Sequence, residues 1–513
     1  MKKIIYNKSA ILITGLALML SSCEKNFETI NDDPNNPRSV PNSYLLVGAQ
    51  RGIMDNSTDV WWGGNMGNQL AQYWSSNQYS SESRYQFRTA ITNTYWGLFY
   101  SGGLNDPGSG LFVGGLNELN TIIKNCEADP AGNAASGFAG NQIAAATILR
   151  VWLIQNMTDA WGSIPYTQAL QPNLYRAPKY DSQDVIYAGL LAELDKALSL
   201  INTAEPGPLN DQIYGSDPTI QMNQWTKFGN SVKMRVALRI ADVDPANAKI
   251  AFEAAATAGG FTSNADNALF PYGTGTDANP IYGNRYIDNR NDYAASNTYL
   301  DILVAQNDPR LPALFNQAEA TSTYVGEVYG LSEANAAATP NSQISQRSDL
   351  ALSADLPGIY MDYAQVEFML AEAAERTWAV AGSAQSHYDA GVGASIEYWT
   401  TLNGTPATPT DISTYLAQDS VTYTQPGTWQ YKIGKQKWMA LVNQGTQGWT
   451  EWRRLDFGIL QLPADGVLDT YDGIPLRIKY PVDEQTLNSG NYNSAISGQG
   501  PDLQGTKVWW DVN

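Results

Sequence analysis

What most limits the architectures open to this chain is the arrangement of its helical-period segments, which fall in neighbouring pairs. Four pairs are expected: residues 141–157 with 183–201, 225–241 with 245–258, 361–378 with 384–402, and 431–443 with 449–457. Within 183–201, Ile186, Leu190, Leu194 and Ala197 form one stripe, while 141–157 is apolar almost all round and should be buried. Asp244-Pro245 offers an N-cap with proline at the first helical position, and Gly259-Gly260 ends that helix. A further helix is expected over Val113–Glu127. Stacked antiparallel helix pairs follow the logic of tetratricopeptide-type repeats, although no sequence repeat is visible. The expected fold is therefore mainly α, a tetratricopeptide-like scaffold of four pairs carrying long irregular insertions. The longest insertion, Phe261–Pro357, is rich in Gly, Asn, Ala, Ser and Tyr. Structureless loops of that length are rare unless functional or disordered.

The N-terminus adds a second constraint. Lys2 and Lys3 precede an apolar run from Ala10 to Leu20, which is shorter than the ~20 residues a spanning helix needs. It reads as an export signal. Leu20-Ser21-Ser22-Cys23 resembles a bacterial lipobox, in which cleavage before the cysteine leaves a lipidated thiol. Residues 1–22 would then be lost, Cys23 would carry the lipid, and the polar, proline-bearing stretch 23–40 would be a tether. Length alone would allow two or three average domains in the remaining 41–513. Attachment to the membrane would be through lipid at Cys23 alone, and a single acyl chain holds a protein only marginally.

Composition removes several functions. A formal charge of −19, from 31 basic and 50 acidic residues, argues against nucleic-acid phosphates and anionic lipid surfaces. With Cys23 lipidated, Cys126 has no disulfide partner and reads as a small buried hydrophobe. The one histidine, His387, excludes zinc sites that need two, and it lies in a helical pattern as a structural or surface residue. No Gly-x-Ser-x-Gly elbow, P-loop or GxGxxG occurs, so no cofactor is expected; no metal ligands stand out and no EF-hand-like spacing appears, but the plentiful Asp and Asn leave a structural metal ion in the loops open.

Fifteen Trp and 29 Tyr are the unusual feature. Flat rings with polar tips suit cores and wet binding surfaces alike. Trp61-Trp62 precede Gly63-Gly64, where a helix should break and one tryptophan should face solvent. Trp74 and Tyr79 follow. In the insertion, Pro280–Tyr299 gathers Tyr282, Arg285, Tyr286 and Tyr293 with Asp288, Asn289, Arg290 and Asp292. Rings beside planar donors and acceptors are what a sugar requires, although the same residues also suit a packed irregular loop. The candidate ligand-binding set is Trp61, Trp62, Trp74, Tyr79, Tyr282, Arg285, Tyr286 and Tyr293. Ser332–Ser348, small and polar, reads as flexible.

Several blocks taken in order resemble the SusD/RagB family of nutrient-binding outer-membrane lipoproteins, and its SusD-like-2 type in particular. They are Asp159–Tyr166, Trp225–Arg239, Met361–Ala374, Lys435–Leu441 with Trp449–Arg454, and Arg477–Pro481 followed by Glu484, Asn488 and Tyr492. Read physically, these blocks are architectural: Trp438, Trp449 and Trp452 as core, Arg453-Arg454 with Glu451 as partly buried ion pairs. The resemblance implies a single domain over 41–513 whose long insertions form a ligand face, a cell-surface, outer-membrane location and no enzymatic activity. It also implies a glycan or peptide ligand and a partner, a TonB-dependent SusC-like barrel to which the ligand is delivered.

Two rival readings stand beside capture of an oligosaccharide. A surface glycoside hydrolase would need two carboxylates ~5–10 Å apart, and Asp288 with Asp292 is the pair to consider. An assembly lipoprotein would favour apolar grooves over rings interleaved with Asn and Arg. The net negative charge disfavours acidic polysaccharides, but local charge at a site can oppose it.

Overall fold

The computed structural model describes residues 40–101 and 114–512. The signal, Cys23 and the tether up to residue 39 lie outside the described residues, as does Val113. All four helix pairs form. They are α4 (Ala139–Trp161) with α5 (Gln183–Leu200), α6 (Gln221–Arg239) with α7 (Pro245–Ala258), α9 (Tyr363–Glu375) with α10 (Ala384–Leu402), and α11 (Trp429–Ala440) with α12 (Gly445–Leu455). Before them come α1 (Asn42–Thr58), α2 (Thr89–Ser101) and α3 (Leu116–Ala128), and α3 packs on both α1 and α4. The insertion contributes α8 (Asn297–Ala305), and α13 (Ser489–Gln499) lies near the C-terminus. Shorter turns are named by range. Asp244 accepts from the Asn247 N–H and Pro245 opens α7, so that boundary falls where its capping residues place it.

One large apolar cluster runs through the pairs and takes in Trp161, Trp225, Trp399, Trp438, Trp449 and Trp510. No helix among the described residues is long and apolar enough to cross a membrane. Cys126 is buried and receives the Asn42 amide at 3.2 Å. His387 sits between Glu367 (Nδ1···Oε2, 2.6 Å) and the Ala381 carbonyl (Nε2···O, 2.5 Å), joining α10 to α9.

Ionic residues stitch the pairs together inside the core. Glu451 on α12 meets Arg239 of α6 (2.8 Å), Arg454 (2.7 Å) and Lys437 of α11 (2.9 Å), all fully buried. Arg454 also grips Glu372 of α9 at 2.5 Å. The ion pairs expected around Glu451 are thus deeper and more numerous than the sequence suggested. Arg453 is a correction, because it does not join Glu451. Its guanidinium lies 3.6 Å from the Trp449 ring centroid and donates to the Asp159 and Leu476 carbonyls, about 100° around α12 from its neighbour.

Two further expectations give way. Gly63-Gly64 do not end a helix; they lie inside a π-helical turn, Val60–Asn68. Asp59 breaks α1 before it and caps the new turn. A β-carbon on Gly63 would meet the Ser57 carbonyl at 2.3 Å, so glycine serves close backbone approach there. Nor is Ser332–Ser348 a free strap. Ala295 N–H donates to Ser345 O (3.0 Å), Asn316 N–H to Gln346 O (2.9 Å), and Ser332 N–H to Asp465 (2.6 Å). Small polar residues are tied here by single backbone bonds, which leave no periodicity in the sequence.

Three two-residue to four-residue strand pairs complete the fold, each antiparallel. They join β1 (Trp74–Ser76) to β5 (Tyr293–Ala295), β2 (Ile164–Pro165) to β3 (Tyr180–Asp181), and β4 (Ala268–Phe270) to β6 (Gly358–Met361). The first pair matters for function, because it brings the N-terminal aromatic segment against the insertion.

Candidate functional site

Register fixes the juxtaposition. Trp74 pairs with Ala295, Ser75 with Ala294 and Ser76 with Tyr293, and the Asn77 N–H then reaches Asp292 O at 2.9 Å. Residues 77–82 therefore run beside 288–292. The Arg290 guanidinium lies over the Tyr79 ring at 4.9 Å and is itself held by Asp292 at 2.6 Å. Tyr79 is 55% exposed, in a left-handed conformation with φ +53°, and Asn289 opposite has φ +53° as well. A bulky residue in that region is unusual, and such strain gathers at ligand sites.

Beyond β5's start the chain makes a second π-turn, Gly283–Ile287. Tyr282 and Tyr286 have ring centroids 5.0 Å apart, and the Arg285 guanidinium stands 5.3 Å from the Tyr286 ring. Tyr286 and Ile287 are exposed, Tyr282 and Arg285 half-buried. π-turns inside helical segments are rare and concentrate at functional sites. Here both segments that carry the sequence's aromatic candidates contain one.

The candidates divide by burial. Tyr79, Tyr282, Arg285 and Tyr286 form the open face. Trp61 is half-buried, with Arg88 4.7 Å above its ring. Trp62, Trp74 and Tyr293 are corrections: all three are buried and have no face for a ligand. Trp62 stacks on Trp161 at 4.7 Å within the helical core, the lower side of the π-turn. Trp74 and Tyr293 pack against each other at 5.9 Å because facing strands turn their large rings to the same side. Their task is to carry the face, not to line it.

Arg347 and Trp509 escaped the sequence reading. Arg347 is 4% exposed, with its guanidinium 4.5 Å above the Trp74 ring. Nothing in the polar run around it marks it out. Trp509 borders a cavity of about 340 Å³ with Lys179, Gln183, Asn491, Gln499 and Lys507. Its doublet with Trp510 was the available signal. The polar lining there is largely spent on the scaffold: Gln499 binds Ser163 N–H and Trp161 O, and Gln183 binds Thr158 O and Trp509 N–H. The aromatic face keeps more of its polar groups for a ligand.

Asp292, one of the two carboxylates considered for hydrolysis, is buried and takes both Nε (2.8 Å) and Nη2 (2.6 Å) of Arg290. It orients an arginine under a ring. Among the described residues no three His, Cys, Asp or Glu side chains are grouped to hold a metal ion.

A helix-pair scaffold that devotes its insertions to an open aromatic and arginine face defines a binding protein built on tetratricopeptide-like architecture. The chain belongs to the SusD-like family: it matches the SusD-like_2 type, described as starch-binding and associating with the outer membrane, over residues 34–481. Among solved structures, a chitin-binding protein is 27% identical with a TM-score of 0.77, covering 92% of this chain and 100% of its own. A SusD homologue from Bacteroides uniformis is 24% identical with a TM-score of 0.77, covering 94% and 100%. A chitin-binding SusD homologue from Flavobacterium johnsoniae is 24% identical with a TM-score of 0.68, covering 92% and 99%. No curated protein matches the chain.

Proposed function

We propose that this protein is a cell-surface lipoprotein, anchored through Cys23, that captures an oligosaccharide and passes it to a TonB-dependent SusC-like barrel in the outer membrane. Residues 41–513 act as one domain behind the tether 23–40. The observation that carries the reading is the pairing of two exposed rings, Tyr79 and Tyr286, with arginines on segments held by β1 and β5. Rings of this kind stack on the C–H faces of a sugar, and the neighbouring guanidiniums and amides fix its hydroxyls. Strands, π-turns and core rings hold the face in place before the ligand arrives, which lowers the ordering cost of binding. The family description and the chitin-binding relative support a glycan over a peptide. Capture without turnover fits a face whose Asp292 is committed to Arg290.

The test is a titration of the purified chain with starch-derived, chitin-derived and other oligosaccharides and with peptides, following intrinsic fluorescence and product formation together. Binding of a glycan without new product is the expected result. Tyr79→Ala and Tyr286→Ala should each weaken that glycan by about tenfold, the loss of one stacking partner. Unchanged affinity in both variants moves the site elsewhere, and turnover of any glycan overturns capture as the function.

A further inference from the structure

Two arginines, Arg285 in the aromatic face and Arg347 beneath it, have no carboxylate partner among the described residues. Arg347 is almost fully buried, and no carboxylate among the described residues pairs with it. Its Nη1 has no hydrogen-bond acceptor, and what covers the guanidinium is the Trp74 ring on one side. Arg285, a like charge that repels Arg347, has no carboxylate among the described residues either and lies against Tyr286. Burial, with a smaller contribution from Arg285, pushes Arg347 down to about 10, against the pull of Tyr293 and Tyr286. Every other arginine named above is met by a carboxylate or by backbone carbonyls.

Desolvating a guanidinium without a counter-charge is costly, and an aromatic face repays only part of it. In a chain with 50 acidic residues and net charge −19, a carboxylate was available to evolution at this position and was not placed there. Arg285 and Tyr286, the two groups that sense Arg347, are themselves on the surface, one exposed and one half-buried. The guanidinium therefore lies buried against Trp74, one of the rings that carry the face from beneath.

We propose that Arg285 and Arg347 receive an anionic substituent of the captured glycan, a carboxylate or sulfate on a sugar whose ring stacks on Tyr286. This rests on the capture reading above and names its substrate class. A planar guanidinium offers paired N–H donors to such a group, and low local dielectric strengthens the contact. The local charge thus opposes the net charge. Arg290 does not take part, since Asp292 already neutralises it.

The experiment is calorimetric titration of the full chain with matched glycan pairs: oligogalacturonate and its methyl ester, and a sulfated chito-oligosaccharide and its unsulfated form. At least one acid member should bind about tenfold or more tightly than its neutral partner at low salt, with the preference shrinking as salt rises. Arg347→Met should reduce the preference to about twofold or less while leaving affinity for the neutral partner within about twofold, and Arg285→Gln should reduce the preference likewise. Arg347→Met should melt no lower than the wild-type chain, because it removes an unpaired buried charge and keeps the packing on Trp74. Equal or tighter binding of every neutral partner overturns the anion site and leaves glycan capture standing. Preference that survives both substitutions, or a drop in melting temperature for Arg347→Met, also overturns it. Binding of acidic peptides with no binding of any carbohydrate sinks both readings.

Discussion

His387 is held by two acceptors, the Glu367 carboxylate and the Ala381 carbonyl, and only an imidazolium with both nitrogens protonated can satisfy both. The hydrogen bond to Glu367 foremost, then that to the Ala381 carbonyl, hold its pKa above the ordinary 6.5, against burial. The group is raised on folding, so its contribution is fully present below pH 6.5 and is lost as pH climbs through the folded value. Because the chain has one histidine, its imidazole proton resonances are unambiguous. Their titration midpoint should lie above 6.5 in the folded protein, and Glu367→Gln should bring it down; a midpoint at or below 6.5 would show the contact absent. At this scale the sequence was a partial guide. It read His387 as a structural or surface residue and not as a base, and it picked Tyr79 and Tyr286 as exposed rings. It could not separate Tyr293 from them, because a strand buries alternate residues only once its partner is known, and that partner lies more than two hundred positions away.

Among the elements, the π-turn Val60–Asn68 depends on one residue. Asp59 accepts from the N–H groups of Trp61 (3.1 Å), Trp62 (2.8 Å) and Gly63 (3.3 Å), and the Tyr95 hydroxyl donates to its other oxygen. Burial raises its carboxyl to about 8, and the three N–H donors work against that rise. Asp59→Ala would orphan all three donors in a dry site, so the loss should be at the upper end for a cap, about 2 kcal/mol. Urea unfolding followed by tryptophan fluorescence would read it, with Trp62 beside Trp161 as reporter. Asp59→Asn, which keeps an acceptor oxygen, should recover a good part of the loss. A cost near zero for Asp59→Ala would mean that the turn is held by its packing alone. The helix pairs were legible because each has an apolar stripe and recognisable ends. The π-turns were not, since an extra residue per turn shifts the stripe by less than a sequence pattern can resolve, and Gly63-Gly64 imitate a helix stop.

Over the whole molecule, the ion pairs that lock the scaffold and the rings that make the face are different groups, although α12 packs on the π-turn Val60–Asn68. The scaffold is locked by charges at the crossing of α6, α9, α11 and α12, where Glu451 and Glu372 meet Arg239, Arg454 and Lys437 out of reach of water. Burial would raise Glu451, but Arg454, Lys437 and Arg239 together hold it well below the usual carboxylate range. Against the same burial, Arg454 foremost brings Glu372 to about 2. Both are depressed on folding, so their contribution is present above the ordinary 4.5 and is lost as pH falls towards 2. Glu451→Ala would strand Lys437 and leave Arg239 and Arg454 with one carboxylate each, Asp159 and Glu372, and should cost about 3–5 kcal/mol, far more than any exposed pair. The face lies on β1, β5 and the π-turns, which share none of these contacts, so ligand affinity of the folded variant should stay within about twofold of the parent. Thermal melts and titrations on the same preparation decide the matter. A large loss of affinity in a folded Glu451→Ala protein would mean that the network shapes the ligand face as well as the scaffold, and that the two are coupled.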